Sequence, residues 1–349
     1  MPLIAQNPVP RTILGLMTFG SDEKTGARIF SQDEFKKHLD YFQQQGFNEV
    51  DTARAYVGGT QEAFTAEAGW KERGLKLATK VYPKTPGDHK PDALRKTFET
   101  SLKELGTNQV DIFYLHAADR SVPFTETLEL VNELHKEGKF VQLGLSNYTA
   151  FEVAEIVTVC NERGWVRPTI YQGMYNAITR SIETELIPAC KRYGIEIVVY
   201  NPLAGGIFSG KYKTKDIPAE GRYSDNAESG RLYRKRYFRD ATFEALSVIE
   251  PVVQKHGLTL PETALRWVHH HSKLNIEDGR DGIIIGVSSF AQLESNLNDV
   301  RKGPLPEEVV EALDKAWLVA KPTTPEYWHL DLKYTYNTQE ALFKPKSKA

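Results

Sequence analysis

The sequence predicts a (β/α)8 barrel, and three observations carry that prediction. Eight short apolar runs alternate with longer helical patterns along almost the whole chain. Glycine closes one helical pattern after another. No strand–GxGxxG–helix unit opens the chain, which argues against a doubly wound dinucleotide-binding sheet.

Taken in order, the strand-like runs are residues 13–17, 47–50, 75–79, 111–115, 141–145, 169–172, 195–200 and 282–285. Several show little polar alternation, as in Ile195-Glu196-Ile197-Val198-Val199-Tyr200, the pattern of parallel strands covered on both faces. Helical patterns occupy residues 33–45, 61–70, 91–105, 124–137, 150–163, 182–193 and 291–300. Gly46, Gly74, Gly106, Gly138, Gly164 and Gly194 each follow such a stretch, where a left-handed residue ends a helix. Two stretches exceed a minimal barrel. Residues 205–240 form a Gly-, Tyr- and Arg-rich connection after the seventh strand, with extra helical sequence over 241–271. A further amphipathic helix over 306–319 precedes an aromatic tail, 321–349. Long insertions at strand ends are where active-site lids lie. No linker, repeat or low-complexity tract interrupts the chain, so one domain over residues 1–349 is expected.

Composition excludes several function classes. The formal net charge is −2, which offers no bulk attraction to nucleic acid or an anionic membrane. No run approaches the roughly 20 apolar residues of a membrane span. The first ten residues lack the basic and apolar segments of a signal peptide. Cys160 and Cys190 are too few for a disulfide framework and read as reduced thiols of a cytoplasmic protein. His269-His270-His271 looks like a metal cluster, but adjacent helical residues diverge, so no metal is expected.

Three successive strands end in ionisable side chains: Asp51 after the second, Lys80 after the third and His116 after the fourth. Adjacent strands lie about 4.8 Å apart, so these ends converge at the C-terminal face of a barrel. Tyr56, five residues beyond Asp51, can fold back over the same spot. A phenol titrates near 10, high for acid–base work at neutral pH. A neighbouring Lys80 ammonium is expected to lower it, Asp51 to keep Lys80 charged, and a neutral His116 to orient a carbonyl oxygen. That set can donate a proton to an oxygen that becomes an alcohol.

Asp51-Thr52-Ala53-Arg54-Ala55-Tyr56, Ala78-Thr79-Lys80 and Tyr114-Leu115-His116 resemble conserved blocks of the aldo-keto reductases. Gly144-Leu145-Ser146-Asn147, Tyr171-Gln172, Tyr200 through Gly206 and Gly286 through Asn296 follow in the same order, so the likeness covers roughly residues 11–328. Within that superfamily the chain is most similar to the aflatoxin-aldehyde reductase (succinic semialdehyde reductase) branch. The blocks that carry this are Tyr171-Gln172-Gly173-Met174-Tyr175-Asn176, Thr184-Glu185-Leu186 and Tyr233-Arg234-Lys235-Arg236-Tyr237.

The resemblance implies reduction of aldehydes, and of ketones, dialdehydes or semialdehydes, by NADPH, with Asp51, Tyr56, Lys80 and His116 catalytic and Tyr56 the acid. It implies Ser146, Asn147 and Gln172 on the nicotinamide amide, and Tyr200 stacked on its ring. Leu203, Gly205, Lys211 and Arg222 would embrace the pyrophosphate, where glycine permits close approach and cations offset charge. Gly286, Ser288, Gln292 and Asn296 would surround the adenosine end. Arg236 would bind the distal carboxylate of a semialdehyde, a match for a forked guanidinium. The branch typically ends near Asn-Tyr-Phe-Arg, whereas this chain reads Glu326-Tyr327-Trp328-His329 and continues for 20 residues. Loss of that terminal arginine predicts a broader or more aromatic aldehyde range, with Tyr327 and Trp328 lining the pocket. A homodimer is suggested by the branch alone. The alternative is a nucleotide-binding regulatory subunit with slow reductase activity. A Schiff-base aldolase using Lys80 would leave Tyr200, Asn147 and residues 286–296 without a role.

Overall fold

The computed structural model describes residues 10–225, 229–278 and 280–343. The start of the chain, read above for a leader, and the last six residues of the tail (344–349) lie outside the described residues. All eight expected strands are present: β1 (Thr12–Gly15), β2 (Glu49–Asp51), β3 (Lys76–Val81), β4 (Val110–Leu115), β5 (Phe140–Ser146), β6 (Ile170–Met174), β7 (Glu196–Tyr200) and β8 (Gly282–Gly286). They pair in parallel in chain order, and β8 closes on β1.

The connecting helices are α1 (Gln32–Gln44), α2 (Gln61–Glu67), α3 (Pro91–Glu104), α4 (Phe124–Lys136), α5 (Ala150–Arg163) and α6 (Leu186–Tyr193). The connection after β7 carries α7 (Gly230–Tyr237), α8 (Asp240–Lys255) and α9 (Leu260–His270). After β8 come α10 (Phe290–Asp299), α11 (Glu307–Ala320) and, in the tail, α12 (Thr338–Phe343). The expected helical sequence over 241–271 divides because Gly257 takes a φ of 64° and Thr259 caps α9, accepting from the Glu262 N–H. The helix expected over 306–319 is α11, which packs against α8. Among the described residues no helix is long and apolar enough to cross a membrane.

The period of two along each strand stacks the barrel interior in layers. At its N-terminal end, buried Arg11 donates from Nε and Nη2 to Glu49 at 2.9 and 2.8 Å, and from Nη1 to Glu196 at 2.9 Å. The next residues on that face, among them Ile13, Ala78, Ile112, Ile170, Val198 and Ile284, form an apolar layer. Tyr114 joins it because Gly144 on β5 has no side chain: a Cβ there would stand 2.3 Å from the Tyr114 ring. One step further, the same parity brings Asp51, Lys80 and Gln172 to the C-terminal end. Leu14, Val50, Leu77, Phe113, Leu143, Tyr171 and Val199 point the other way, into the core under the helices. Apart from Val141 on β5 and Gly286 at the end of β8, which are exposed, the strands are thus largely buried on both faces, which explains the apolar runs.

Candidate active site

Above the apolar layer, Lys80 Nζ donates to Asp51 Oδ2 at 2.5 Å and to the Thr52 carbonyl at 2.7 Å. The second Asp51 oxygen accepts from Gln172 Nε2 at 2.8 Å, across the barrel. Tyr56 follows in a 3-10 turn, Tyr56–Gly59, in which Val57, Gly58 and Gly59 have φ of 47°, 60° and 89°. That left-handed run reverses the chain over the mouth, and a β-branched valine adopts it only where neighbours over-determine it. Arg54 supplies the constraint. Its guanidinium bonds the Gly59 carbonyl and, at 2.5 Å, Glu62, whose other oxygen accepts from Thr79 of β3 at 2.6 Å.

The four expected acid–base residues meet at this mouth. Lys80 Nζ lies 5.1 Å from the Tyr56 ring centre, and the Tyr56 and His116 rings meet edge to face at 6.2 Å. Electrostatics corrects one expectation. Lys80 does not bring the phenol down: Tyr56 is held well above 10, by burial first and the Asp51 carboxylate second. Lys80 itself is lowered, because burial outweighs the opposing Asp51 charge. His116 is pushed well below its ordinary value by burial and then by Lys80, so its ring is neutral; its Nδ1 is buried without a partner among the described residues.

A second group of the expected residues lines the β5–β7 side. Ser146 and Gln172 are register partners. Asn147, left-handed at φ 59°, donates to the His116 carbonyl at 2.8 Å and to Ser146 Oγ at 2.9 Å, and its Oδ1 accepts from the Tyr200 hydroxyl at 2.8 Å. Gln172 turns its Nε2 to Asp51, which links this group to the acid–base set. Further out, Leu203 precedes Gly205, where φ is 66° and a Cβ would stand 2.8 Å from the Tyr233 ring. Lys211 is exposed, and Arg222 lies 4.7 Å from the Tyr233 ring centre. Neither cation has a carboxylate partner among the described residues. Gly286 ends β8 with open space where a Cβ would be; Ser288 donates to Gln292 from N and Oγ at 2.8 and 3.0 Å, and Asn296 is buried in α10.

The cluster of basic residues around α7 separates by direction. Arg234 bonds the Tyr223 carbonyl and Asp225, and Arg239 the Lys235 carbonyl. Only Arg236 is buried, donating to His329 Nε2 at 2.7 Å. Trp328 is half-buried, its ring edge-to-face with Tyr327. The expectation of Tyr327 as a pocket residue meets a competing use: its hydroxyl donates to Glu185 at 2.5 Å and accepts from the Ala150 N–H at 3.0 Å. Tyr327 is a tail anchor. Two residues escaped the sequence reading. Tyr82 shares the parity of Lys80 and packs edge-on against His116 at 5.3 Å, a neighbour that strand alternation could have flagged. Arg120 reaches the tail over more than 200 residues of chain, with no sequence signal. Among the described residues no group of three His, Cys, Asp or Glu could hold a metal; His270 contacts His269 at 3.1 Å and the Lys302 carbonyl at 2.7 Å.

Residues 11–318 match the aldo/keto reductase family. The chain belongs to that family. As an aldo-keto reductase it is an NAD(P)H-dependent oxidoreductase. It is 46% identical over 296 residues to an aldo-keto reductase of Pseudocercospora fijiensis, covering 83% of this chain and 99% of that one. It is 44% identical over 338 residues to aflatoxin B1 aldehyde reductase member 2 of Homo sapiens, covering 93% and 92%. The aldo-keto reductase family 7 member A3 of Homo sapiens is 42% identical over 332 residues, covering 91% and 97%. This aldo-keto reductase is thus similar to aldehyde reductases over nearly its whole length.

Proposed function

We propose that this aldo-keto reductase reduces aldehydes to alcohols with NADPH, and that Tyr56 is the proton donor. The observation that carries the reading is the meeting of Asp51, Lys80, Tyr56 and His116 at the C-terminal mouth, where barrel chemistry takes place. The aldehyde reductases among its relatives support the substrate class.

The residues fit the cofactor. Arg222 and Lys211, cations without carboxylate partners among the described residues, suit the pyrophosphate, with Leu203 and Gly205 at their base. The open edge at Gly286, Ser288 and Gln292, with Asn296 behind it, suits the adenosine end. Ser146, Asn147 and Gln172 offer the donors and acceptors of a carboxamide site, and Tyr200 a ring for stacking. When bound, NADPH supplies the hydride that the carbonyl carbon receives.

The chain's own residues handle the oxygen. Tyr56, kept protonated at neutral pH, gives its hydroxyl proton to the carbonyl oxygen as negative charge develops there, an acid role worth about 10²–10⁴-fold. Neutral His116 holds that oxygen in place. Lys80, held by Asp51 and the Thr52 carbonyl at 5.1 Å from the Tyr56 ring centre, offsets in its ammonium form the charge left on the phenolate oxygen. Arg236 anchors a distal carboxylate where the substrate has one, and Trp328 provides apolar wall. The chain acts as one barrel domain, and the branch it resembles suggests a homodimer. Free, buried Cys160 and Cys190, both pushed up to about 12 by burial, fit a reducing cytoplasmic setting. The test is loss of NADPH absorbance with 4-nitrobenzaldehyde and with succinic semialdehyde. Turnover of either supports the reading; tight NADPH binding without turnover favours a nucleotide-binding regulatory role.

A further inference from the structure

Arg120, in the loop after β4, is 4% exposed. Its Nε and Nη2 form a two-pronged contact with Glu152, at 2.7 and 2.9 Å. The remaining nitrogen, Nη1, faces three successive carbonyl oxygens of the tail: His329 at 2.8 Å, Leu330 at 3.4 Å and Asp331 at 3.3 Å. Glu152 is itself held. It completes the capping box of α5 with Thr149 and accepts from the Tyr334 hydroxyl at 2.6 Å. The Thr335 N–H returns to the Arg120 carbonyl at 3.1 Å. One buried ion pair therefore grips the tail on both sides of a turn. At that turn Leu330 has a φ of 62°, a conformation a non-glycine residue keeps only when its surroundings over-determine it.

The turn delivers His329 to the mouth. Its N–H donates to the Asn147 carbonyl at 3.2 Å, its Nε2 accepts from Arg236, and the Tyr200 hydroxyl is 3.5 Å from the same nitrogen. Arg236's other side-chain nitrogens have no partner among the described residues. A guanidinium aimed by one acceptor, with its remaining donors open, is prepared for a carboxylate.

We infer that Arg120, locked by Glu152, is a positioning residue for substrate recognition: it turns the tail at Leu330 so that His329 aims Arg236 at the acidic end of a carboxylate-bearing aldehyde. This rests on the reductase reading given above. The dependence runs from Arg120 through His329 to Arg236, so it separates substrates with a distal carboxylate from those without one.

The experiment compares Arg120→Met, Tyr334→Phe, His329→Ala and the Arg120→Met/His329→Ala double variant with wild type. Succinic semialdehyde and 4-nitrobenzaldehyde are the substrates. In Arg120→Met, KM for succinic semialdehyde is expected to rise about ten-fold, while kcat for 4-nitrobenzaldehyde and NADPH affinity stay within about two-fold. The double variant should be no worse than His329→Ala, since residues acting in series are not additive. Tyr334→Phe removes one hydroxyl and spares the ion pair, so it should give a smaller rise in the same direction even if Arg120→Met fails to fold. The ¹⁵N shifts of His329 give an independent signature: Nε2 accepts a hydrogen bond in wild type and is released in Arg120→Met. Equal losses on both substrates, unchanged KM in Arg120→Met and Tyr334→Phe, additive effects in the double variant, or unaltered His329 shifts would overturn the proposal. Absence of any wild-type turnover would remove the reductase reading instead, and the nitrogen shifts would still report on the grip of Arg120.

Discussion

Arg236 donates to His329 Nε2 at 2.7 Å, so the imidazole is an acceptor at that nitrogen and carries its proton on Nδ1. Burial, and after it the charge of Arg236, pushes His329 down to about 3, which keeps the ring neutral throughout the physiological range. The pocket therefore has one permanent cation at this point. Removing it by Arg236→Ala should raise KM for succinic semialdehyde by about 10–100-fold, the loss of a charge-assisted contact of about 1.5–3 kcal/mol. The 4-nitrobenzaldehyde parameters should move by less than about three-fold. Steady-state kinetics on both substrates decides it, and equal KM values for succinic semialdehyde in wild type and variant would contradict the carboxylate-anchor role.

Acid should destabilise the fold through its buried and partly buried histidines. His89 and His269 are lowered to about 4, His329 to about 3, and His116 well below its ordinary value, in each case by burial first. These folded-state values lie below the 6.5 of an unfolded histidine. The unfolded chain then binds more protons as pH falls from about 6.5 toward 4, and stability drops with it. Melting temperature should fall by several degrees between pH 7 and pH 5, and His89→Gln should flatten that slope. A wild-type melting temperature constant over this range would count against buried neutral histidines.

At the far end of the barrel, Arg11→Met would leave Glu49 and Glu196 buried without their shared cation. Breaking a buried ion pair from one side costs about 3–5 kcal/mol. Urea unfolding should show a loss of that order, with KM values unchanged for the folded protein because the apolar layer separates Arg11 from the mouth. A loss below about 1 kcal/mol would show that the plug is dispensable.

Much of the fold was legible because the strands are largely buried on both faces. Leu14, Val50, Leu77 and Phe113 face the helices while Ile13, Ala78 and Ile112 fill the interior, so the strands read as apolar runs. Parity also places Asp51 and Lys80 together once the barrel is assumed. What the pattern could not convey is long-range or conformational. The reversal at Val57 that carries Tyr56 over the mouth depends on left-handed backbone held by Arg54 and Glu62. The position of His329 depends on Arg120 and Glu152, which lie far from it in sequence. The upward shift of Tyr56 comes from burial first, a depth that its place five residues after Asp51 does not convey. Tyr327 and Trp328 are neighbours in sequence, yet the Tyr327 hydroxyl is committed to Glu185, a partner that adjacency does not reveal.

Delivery of the proton by Tyr56 is read out by single-turnover reduction of 4-nitrobenzaldehyde with the NADPH-loaded Tyr56→Phe variant. The phenyl ring keeps the packing against His116 and over Lys80 and removes only the hydroxyl. NADPH binding should stay within about two-fold of wild type while the turnover rate falls by about 10²–10⁴-fold. A variant that binds NADPH and reduces the aldehyde at the wild-type rate would contradict it.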